Sequence, residues 1–366
     1  MLKEIVINTA KFPNMGEQLN AISKSDKKTY IFGGLGAMSL GSVIANYLIQ
    51  QNIPFNGFLA NKDFISTKKH MGKPIIAIEE SDIDKESNII IGISKWQLAQ
   101  EELSKFGYHN IFLFDCFSES VLEQISLDYF QKNYEAFSET YSMLEDELSK
   151  QSMIAYLQGK IFNNFNGLAT TCLANLNSQG GGAYFNDLFT FEDNEIMIDC
   201  GAFTGDTALM FAQKNPNYKR IYAFEPDKKT YMQLVVNTQK LRITSINKGV
   251  FSKTCTLGFD TQDNGCSNFK EDGKLQIEVE SLDDFLKQNE EKITFIKMDI
   301  EGSELEALKG ASKTIEKYKP KLAICVYHRA NDLIEIPKYI KSLHKDYKIF
   351  IRNHQMVPED TVLYAF

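Results

Sequence analysis

The apolar positions fall into two series of short runs, each alternating with segments of helical period. In the first series "TYIFGG", "FNGFLA", "SNIIIGIS" and "NIFLF" read as strands, and "SLGSVIANYLIQQN" and "WQLAQEELSKFG" as helices. Such alternation implies a parallel sheet, because parallel neighbours need a crossover between them. From Ser118 to about Lys160 the pattern turns helical, with Tyr and Phe at helix spacing in "VLEQISLDYFQKNYEAFSETYSMLEDELS". This predicts a helical connector packed on one domain or on a partner chain. "NSQGGGAYF", around Gly182, reads as a loop. From Glu195 the alternation restarts, with strands expected at 195–200, 219–225, 243–250, 293–299 and 320–327, then near 346–352 and 361–366. "NHQMVPED" joins the last two and is too short for a helical crossover, so they are expected to pair antiparallel. "KTCTLGFDTQDNGCSNFKEDGKLQIEVE" looks like an inserted hairpin-like segment. The chain thus divides into 1–117, 118–184 and 185–366.

A length of 366 residues suggests two domains rather than one, and 43% hydrophobic content is ample for two cores. The formal net charge of -8 argues against a general nucleic-acid binder, which is normally basic. No apolar run approaches the ~20 residues that span a bilayer. The start "MLKEIVINTAKF" lacks the layout of a signal peptide. Cys116, Cys172, Cys200, Cys255, Cys266 and Cys325 form no C-x-x-C pair, so neither a zinc site nor a disulfide framework is indicated and a reducing cytoplasm fits best.

The chemistry concentrates in "MIDCGAFTGDTALMF", Met197 to Phe211. A strand ends at Asp199, a Gly-rich turn follows and a helix starts near Asp206. In open α/β sheets ligands bind beyond the carboxyl ends of the strands. A dinucleotide fingerprint would need G-x-G-x-x-G. Here only Gly201 and Gly205 are present, and Asp199 would repel a phosphate. The D-x-G-x-x-x-G spacing suits a ligand with a cationic, phosphate-free head, and S-adenosylmethionine is such a ligand. The next strand, "RIYAFEP", ends in Glu225, near the ~20-residue offset at which an acid grips ribose hydroxyls. "ITFIKMDIEGSELEALKGA" gathers Lys297, Asp299 and Glu301 around the end of the fourth strand, and "KLAICVYHRANDL" places His328 on the same rim.

"IDCGAFTGDT", "YAFEPD", "FIKMDIEGSELEALKGA", "CVYHRANDLIEIPKYI" and the ending "TVLYAF" together resemble the FkbM family of methyltransferases, from about Phe185 to the C-terminus. The resemblance implies a class I methyltransferase fold, a Rossmann-like seven-stranded sheet with an antiparallel last strand. It also implies S-adenosylmethionine-dependent O-methylation of hydroxyls on sugars and other metabolites. On this reading Asp199, Gly201, Ala202, Gly205, Asp206, Glu225, Pro226 and Asp299 line the cofactor site. His328, Asp299 and Lys297 are the catalytic candidates, with His328 the foremost general base because imidazole accepts a proton near neutral pH. Lys297 could equally snorkel or pair with an acid. Asp299, Glu301 and Glu304 could hold Mg²⁺ or Mn²⁺ through oxygens. Ser303 with Glu306 reads as a capping box, and Glu304 could simply complement a helix dipole. His354, in the loop before the last strand, is a weaker candidate.

The first part, through "TYIFGGLGAMSLGSVIANYL", "FNGFLAN", "GKPIIAIEESDI" and "IIIGISKWQLAQEELSKFGYHNI", resembles the Rossmann-like N-terminal domain of bacterial sugar acyltransferases. That implies a smaller α/β domain that binds a nucleotide-sugar. Ala60 and Asn61 stand where an acid usually follows the strand, and a scaffold or homodimerisation role is the alternative. The expected partner is a sugar or nucleotide-sugar acceptor. Two other classes stay open: a non-catalytic nucleotide sensor, and an NAD-dependent sugar-modifying enzyme, although "YIKSL" and "YMQLV" supply no Tyr-x-x-x-Lys pair.

Overall fold

The computed structural model describes the chain except for residues 1, 37–38, 114–122, 178–182, 187, 189, 262–266, 270–274 and 288–290. The loop expected around Gly182, and Cys116 and Cys266, lie outside the described residues. No helix among the described residues is long and apolar enough to cross a membrane.

The N-terminal unit is a six-stranded sheet. Its strands are β1 (Thr29–Phe32), β2 (Gly57–Ala60), β3 (Lys69–His70), β4 (Lys73–Ala77), β5 (Asn88–Ile91) and β6 (Ile111–Phe112), in the order β3-β4-β2-β1-β5-β6. Every pairing is parallel except β3 with β4. The four expected strands and both helices are present, the helices as Leu40–Gln50 and Trp96–Lys105. The β3–β4 pair and the helices Leu2–Ile7 and Met15–Ser23 were not anticipated. The short β3 is polar, and neither helix has a long apolar period.

The glycine turn after β1 serves packing. Gly34 sits at φ +65, and a Cβ there would lie 2.4 Å from the Gly41 amide nitrogen and 2.4 Å from the Gly92 carbonyl oxygen. Loop, crossover helix and the end of β5 therefore meet backbone to backbone. Ser39 and Ser42 hydroxyls donate to the Gly36 carbonyl at 2.6 Å each, so this turn satisfies its own polar groups.

The C-terminal sheet has seven strands: β7 (Ile196–Cys200), β8 (Arg220–Phe224), β9 (Ile243–Ile246), β14 (Phe295–Met298), β15 (Lys321–Cys325), β16 (Ile349–Asn353) and β17 (Thr361–Ala365). Their order is β16-β17-β15-β14-β7-β8-β9, and β17 runs antiparallel to both β15 and β16. This is the seven-stranded, mostly parallel architecture expected of a methyltransferase fold. The strand expected at 243–250 is broken into β9 and β10 (Gly249–Val250). The expected hairpin is larger than anticipated: β10, β11 (Cys255–Thr261), β12 (Ser267–Phe269) and β13 (Leu275–Glu280) make a separate four-stranded sheet.

Between the two units run the helices Leu127–Lys132, Tyr134–Met143, Glu147–Phe162 and Asn166–Asn177. Met153, Tyr156, Leu157 and Leu168 are buried in one cluster with Ile349 and Ile351 of the large sheet and Ile89 and Ile91 of the small one. Polar links reinforce that packing. The Arg352 guanidinium reaches Asp146 at 2.6 Å and Ser149 Oγ at 2.8 Å, and the Trp96 indole N–H donates to the Met356 carbonyl at 2.7 Å. One core cluster spans both units, while a second, around Ile31, Ile44, Leu48 and Phe58, belongs to the small unit alone.

Gly34→Ala should destabilise the protein by more than about 2 kcal/mol, since left-handed strain and a backbone clash add. Gly72→Ala, at φ +77 but facing open space, should cost only about 1 kcal/mol. Urea unfolding of the two variants checks the difference.

Candidate functional site

Four neighbouring strands, β8, β7, β14 and β15, end on the same side of the large sheet. The chain leaves β7 toward β8 on one flank and returns through β14 on the other. That reversal opens a crevice at the carboxyl ends of the strands. The turn after β7 must pass close to the end of β14. Gly201 has φ +76, and a Cβ on it would stand 1.9 Å from the Asp299 carbonyl oxygen, so only glycine fits. Gly205, at φ +89, ends the turn and caps the helix Asp206–Lys214. The free N–H groups and positive dipole end of that helix's first turn, with Asp206, face the crevice side. Ala202 is buried against Ala223 and Leu234 and shapes the turn from below.

Glu225, one residue beyond β8, is 7% exposed and accepts the Phe203 amide at 3.0 Å and the Asp227 amide at 2.9 Å. It thereby ties the glycine turn to the β8 end through Pro226, and each oxygen keeps a lone pair for a hydroxyl donor. Burial raises its pKa to about 7, against those two backbone hydrogen bonds.

Asp199 lies elsewhere than its strand-end position suggests. It is fully buried, and its partner is Lys297, whose Nζ stands 3.2 Å from Asp199 Oδ1 and donates to the Gly201 carbonyl at 2.7 Å. The reason is the register, which sets Lys297 directly beside Asp199 across β14 and β7. Burial raises the Asp199 pKa to about 6 against the pull of Lys297. Burial would lower that of Lys297, but the Asp199 and Asp299 carboxylates outweigh it and hold the ammonium charged. The pair supports the turn from within and is screened from a ligand. Neither Asp199 as a direct ligand contact nor Lys297 as a reacting group fits this burial.

The rim of β14 and β15 carries the densest charge. Asp299 accepts the Tyr184 hydroxyl at 2.8 Å and the Tyr327 hydroxyl at 3.1 Å. His328 is flanked by Glu304 at 3.0 Å, Glu301 at 3.3 Å and Asp299 at 3.6 Å. Burial alone would lower the imidazole pKa. The Glu304 and Glu301 carboxylates reverse that and hold it well above the ordinary value, as imidazolium. Asp299 is pushed up by burial but pulled further down by Lys297 and His328, so it stays ionised. An imidazolium cannot accept a proton, so these carboxylates work against the neutral-imidazole role expected of His328. Glu301 and Gly302 both adopt left-handed conformations, φ 55 and 90, and that tight turn aims Glu301 at His328.

The expected capping box does not form, because the Ser303 side chain makes no cap bond. Glu304, not Glu306, bonds back, accepting the Ile300 amide at 2.8 Å. Glu306 pairs outward with Lys309. Among the described residues, Asp299, Glu304 and His328 are the groups whose ligand atoms lie within 4.8 Å of one another and could share an ion. His328 thus enters where the sequence suggested Glu301. His354 lies away from the rim, held between Tyr364 at 2.7 Å and Asn175 at 3.0 Å, and burial lowers its pKa to about 4.

Sequence reasoning missed Tyr184, Tyr327, Asp332 and Asp360. Asp332, buried beside Glu304, accepts the Arg329 amide at 2.8 Å and is raised by burial to about 8. Asp360, in the turn before β17, is raised to about 6, by burial first and then by the charge of Asp299. Tyr327 stands beside His328 and could have been found from that adjacency. Tyr184 reaches the site from the segment assigned to the connector, and nothing local marks it.

Residues 199–349 match the family model of the Methyltransferase FkbM domain. This part of the chain is an FkbM methyltransferase domain. The hexuronic acid methyltransferase AglP of Haloferax volcanii is 26% identical over 131 residues, 34% of this chain. The chain spans about half, 53%, of that relative's length. The crystal structure of methyltransferase FkbM from Methylobacillus flagellatus KT superposes with a TM-score of 0.66 at 22% identity, covering 100% of this chain and 97% of that one. The fold of the whole chain, small N-terminal unit included, is therefore shared with that protein.

Two outcomes follow from the FkbM domain's buried charges. Lys297→Met leaves Asp199 charged and alone, and should cost about 3–5 kcal/mol in denaturant unfolding, whereas Lys297→Met with Asp199→Leu should recover much of it. Glu225 binds its proton more tightly folded, at about 7 against an ordinary 4.5. Its contribution to stability must fall as pH rises through that window, and Glu225→Gln should flatten the slope of Tm against pH between those values.

Proposed function

We propose that residues 185–366 catalyse S-adenosylmethionine-dependent O-methylation of a carbohydrate hydroxyl, on a sugar, nucleotide-sugar or surface-glycan precursor. The division into 1–117, 118–184 and 185–366 belongs to the same proposal. The observation that carries it is the crevice itself. It joins a glycine turn and helix N-terminus without a phosphate fingerprint, a buried Glu225 at ribose distance along the chain, and an ionised Asp299 on the opposite rim. The FkbM domain match and the hexuronic acid substrate in AglP's name support the reaction and the acceptor class.

The cofactor supplies an electrophilic methyl on a sulfonium. The chain's residues bind and orient. Gly201 lets the methionyl part pass close to the backbone, and the Glu225 oxygens accept the ribose hydroxyls. Transfer would form an O–C bond from the acceptor hydroxyl as the donor's C–S bond breaks and its electron pair goes to sulfur. The hydroxyl proton grows acidic as that oxygen gives up electron density, so a weakly basic carboxylate suffices to take it. Asp299 is that carboxylate, oriented by Tyr184 and Tyr327, with His328 holding the neighbouring acids in place. Most of the rate comes from holding the oxygen in line with the C–S bond, and the proton acceptor contributes about 10²–10⁴-fold.

The convergence of Asp299, Glu304 and His328 favours a second reading of the same step. Two carboxylates with one imidazole would suit Mn²⁺ better than the harder Mg²⁺, and such an ion would have to displace the His328 proton before it could polarise the hydroxyl. Turnover lost with EDTA and restored by Mn²⁺ selects this version, and turnover indifferent to EDTA selects Asp299 alone.

Incubating S-adenosylmethionine and the protein with candidate sugars and nucleotide-sugars should give a methylated product by mass spectrometry. Glu225→Ala should weaken cofactor binding by about 1–3 kcal/mol in calorimetry. Asp299→Asn should lower kcat by about 10²–10⁴-fold with cofactor affinity retained. The acid limb of kcat/KM should lie in the carboxylate range, below that of an ordinary imidazole. Tight NAD binding without S-adenosylmethionine binding would overturn the proposal.

A further inference from the structure

A cavity of about 780 Å³ lies away from the methyltransferase crevice, at the carboxyl ends of β5 and β6 in the N-terminal sheet. None of the crevice residues lines it. Its floor is Ile91 and Ile111 to Leu113, and its walls come from the helix Met15–Ser23, from Trp96 and Gln100, and from the corner Asn163 to Asn166. The carboxyl edge of a parallel sheet is where open α/β folds take their ligands, and the volume is that of a small-molecule site.

The walls are fixed, and the free groups point to a ligand class. The Trp96 N–H is committed to the Met356 carbonyl, so its ring presents carbon. Gln18 is used up on Leu113, donating to its carbonyl at 2.7 Å and accepting its amide at 3.1 Å. Glu17 accepts the Asn14 amide in a capping box. By contrast, the side-chain amides of Gln100, Asn163 and Asn166 and the Lys11 ammonium have no hydrogen-bond partner within the described residues. Phe12, Phe112, Trp96 and Phe165 supply aromatic surface around them. Lys11 and Glu17 are the charged groups in the lining and cancel, so nothing here neutralises a diphosphate. Aromatic carbon beside amides, each both donor and acceptor, matches a pyranose ring, whose C–H face is apolar and whose hydroxyls donate and accept.

The geometry points to a second, non-catalytic carbohydrate site in this cavity, binding a pyranose through Trp96, Gln100, Asn163 and Asn166. It stands on the cavity and not on the methyl-transfer reading, which could fail without affecting it. Trp96 is the chain's sole tryptophan, so intrinsic fluorescence reads this pocket directly. Titration of the full chain with methyl glucopyranoside and with the methyl glycoside of glucuronic acid should shift or quench that emission saturably. Saturation-transfer NMR should show the sugar ring protons in contact with protein. UDP, the nucleotide control, should leave the emission unchanged. Gln100→Ala with Asn166→Ala, both at exposed positions, should weaken binding roughly tenfold or more, the effect of losing one or two net hydrogen bonds, while unfolding stays unchanged. No emission change and no saturation transfer with either glycoside would overturn the inference. So would a response to UDP but not to sugars, or sugar affinity unaltered in the double variant. Calorimetry with S-adenosylmethionine on the same protein reports on the crevice separately.

Discussion

One buried ammonium organises the catalytic half. Lys297 sits in the middle of the large sheet, 2% exposed, with Asp199 beside it and the Gly201 carbonyl under its hydrogen bond. A charge in that position is tolerable only if paired and hydrogen-bonded, so the sheet register, the glycine turn and the acid are fixed together. The turn can then approach Asp299 closely because Gly201 has no side chain. The two halves of the crevice, one carrying Glu225 and the other Asp299, meet at that approach.

The opposite rim shows a different solution to the same problem. Asp299, Glu301, Glu304 and Asp332 crowd one histidine, and His328 answers by keeping its proton. Its charge in turn helps to keep Asp299 ionised beside two tyrosine hydroxyls. Basicity is thus moved from the imidazole to the carboxylates.

The N-terminal unit is not an appendage. The helices between the sheets bury apolar faces against both, and Trp96, at the start of a helix of the small unit, bonds to the turn between β16 and β17. That turn also carries Asp360, whose carboxyl feels the Asp299 charge. The small unit therefore buttresses the turn before β17. Its glycine turn, tightly packed on itself, serves that architecture.

The sequence by itself determined the two α/β units, nearly every strand of the large sheet and the antiparallel ending, because period and connection length are local properties. It also marked Gly201, Gly205, Glu225, Asp299 and His328 as one rim, because strand ends in a parallel sheet share an edge. Burial and protonation were decided by the tertiary structure. Whether Asp199 faces a ligand depends on the register that sets Lys297 beside it, and whether His328 is a base depends on Glu304 and Glu301, brought in by a helix start and a left-handed turn. Tyr184 arrives across more than a hundred residues. The capping box failed because the Ser303 side chain makes no cap bond, the Ser303 amide goes to the Ile300 carbonyl, and Glu306 turns outward to Lys309. Charge state follows from neighbours in space, and those neighbours are set by packing that no local spacing records.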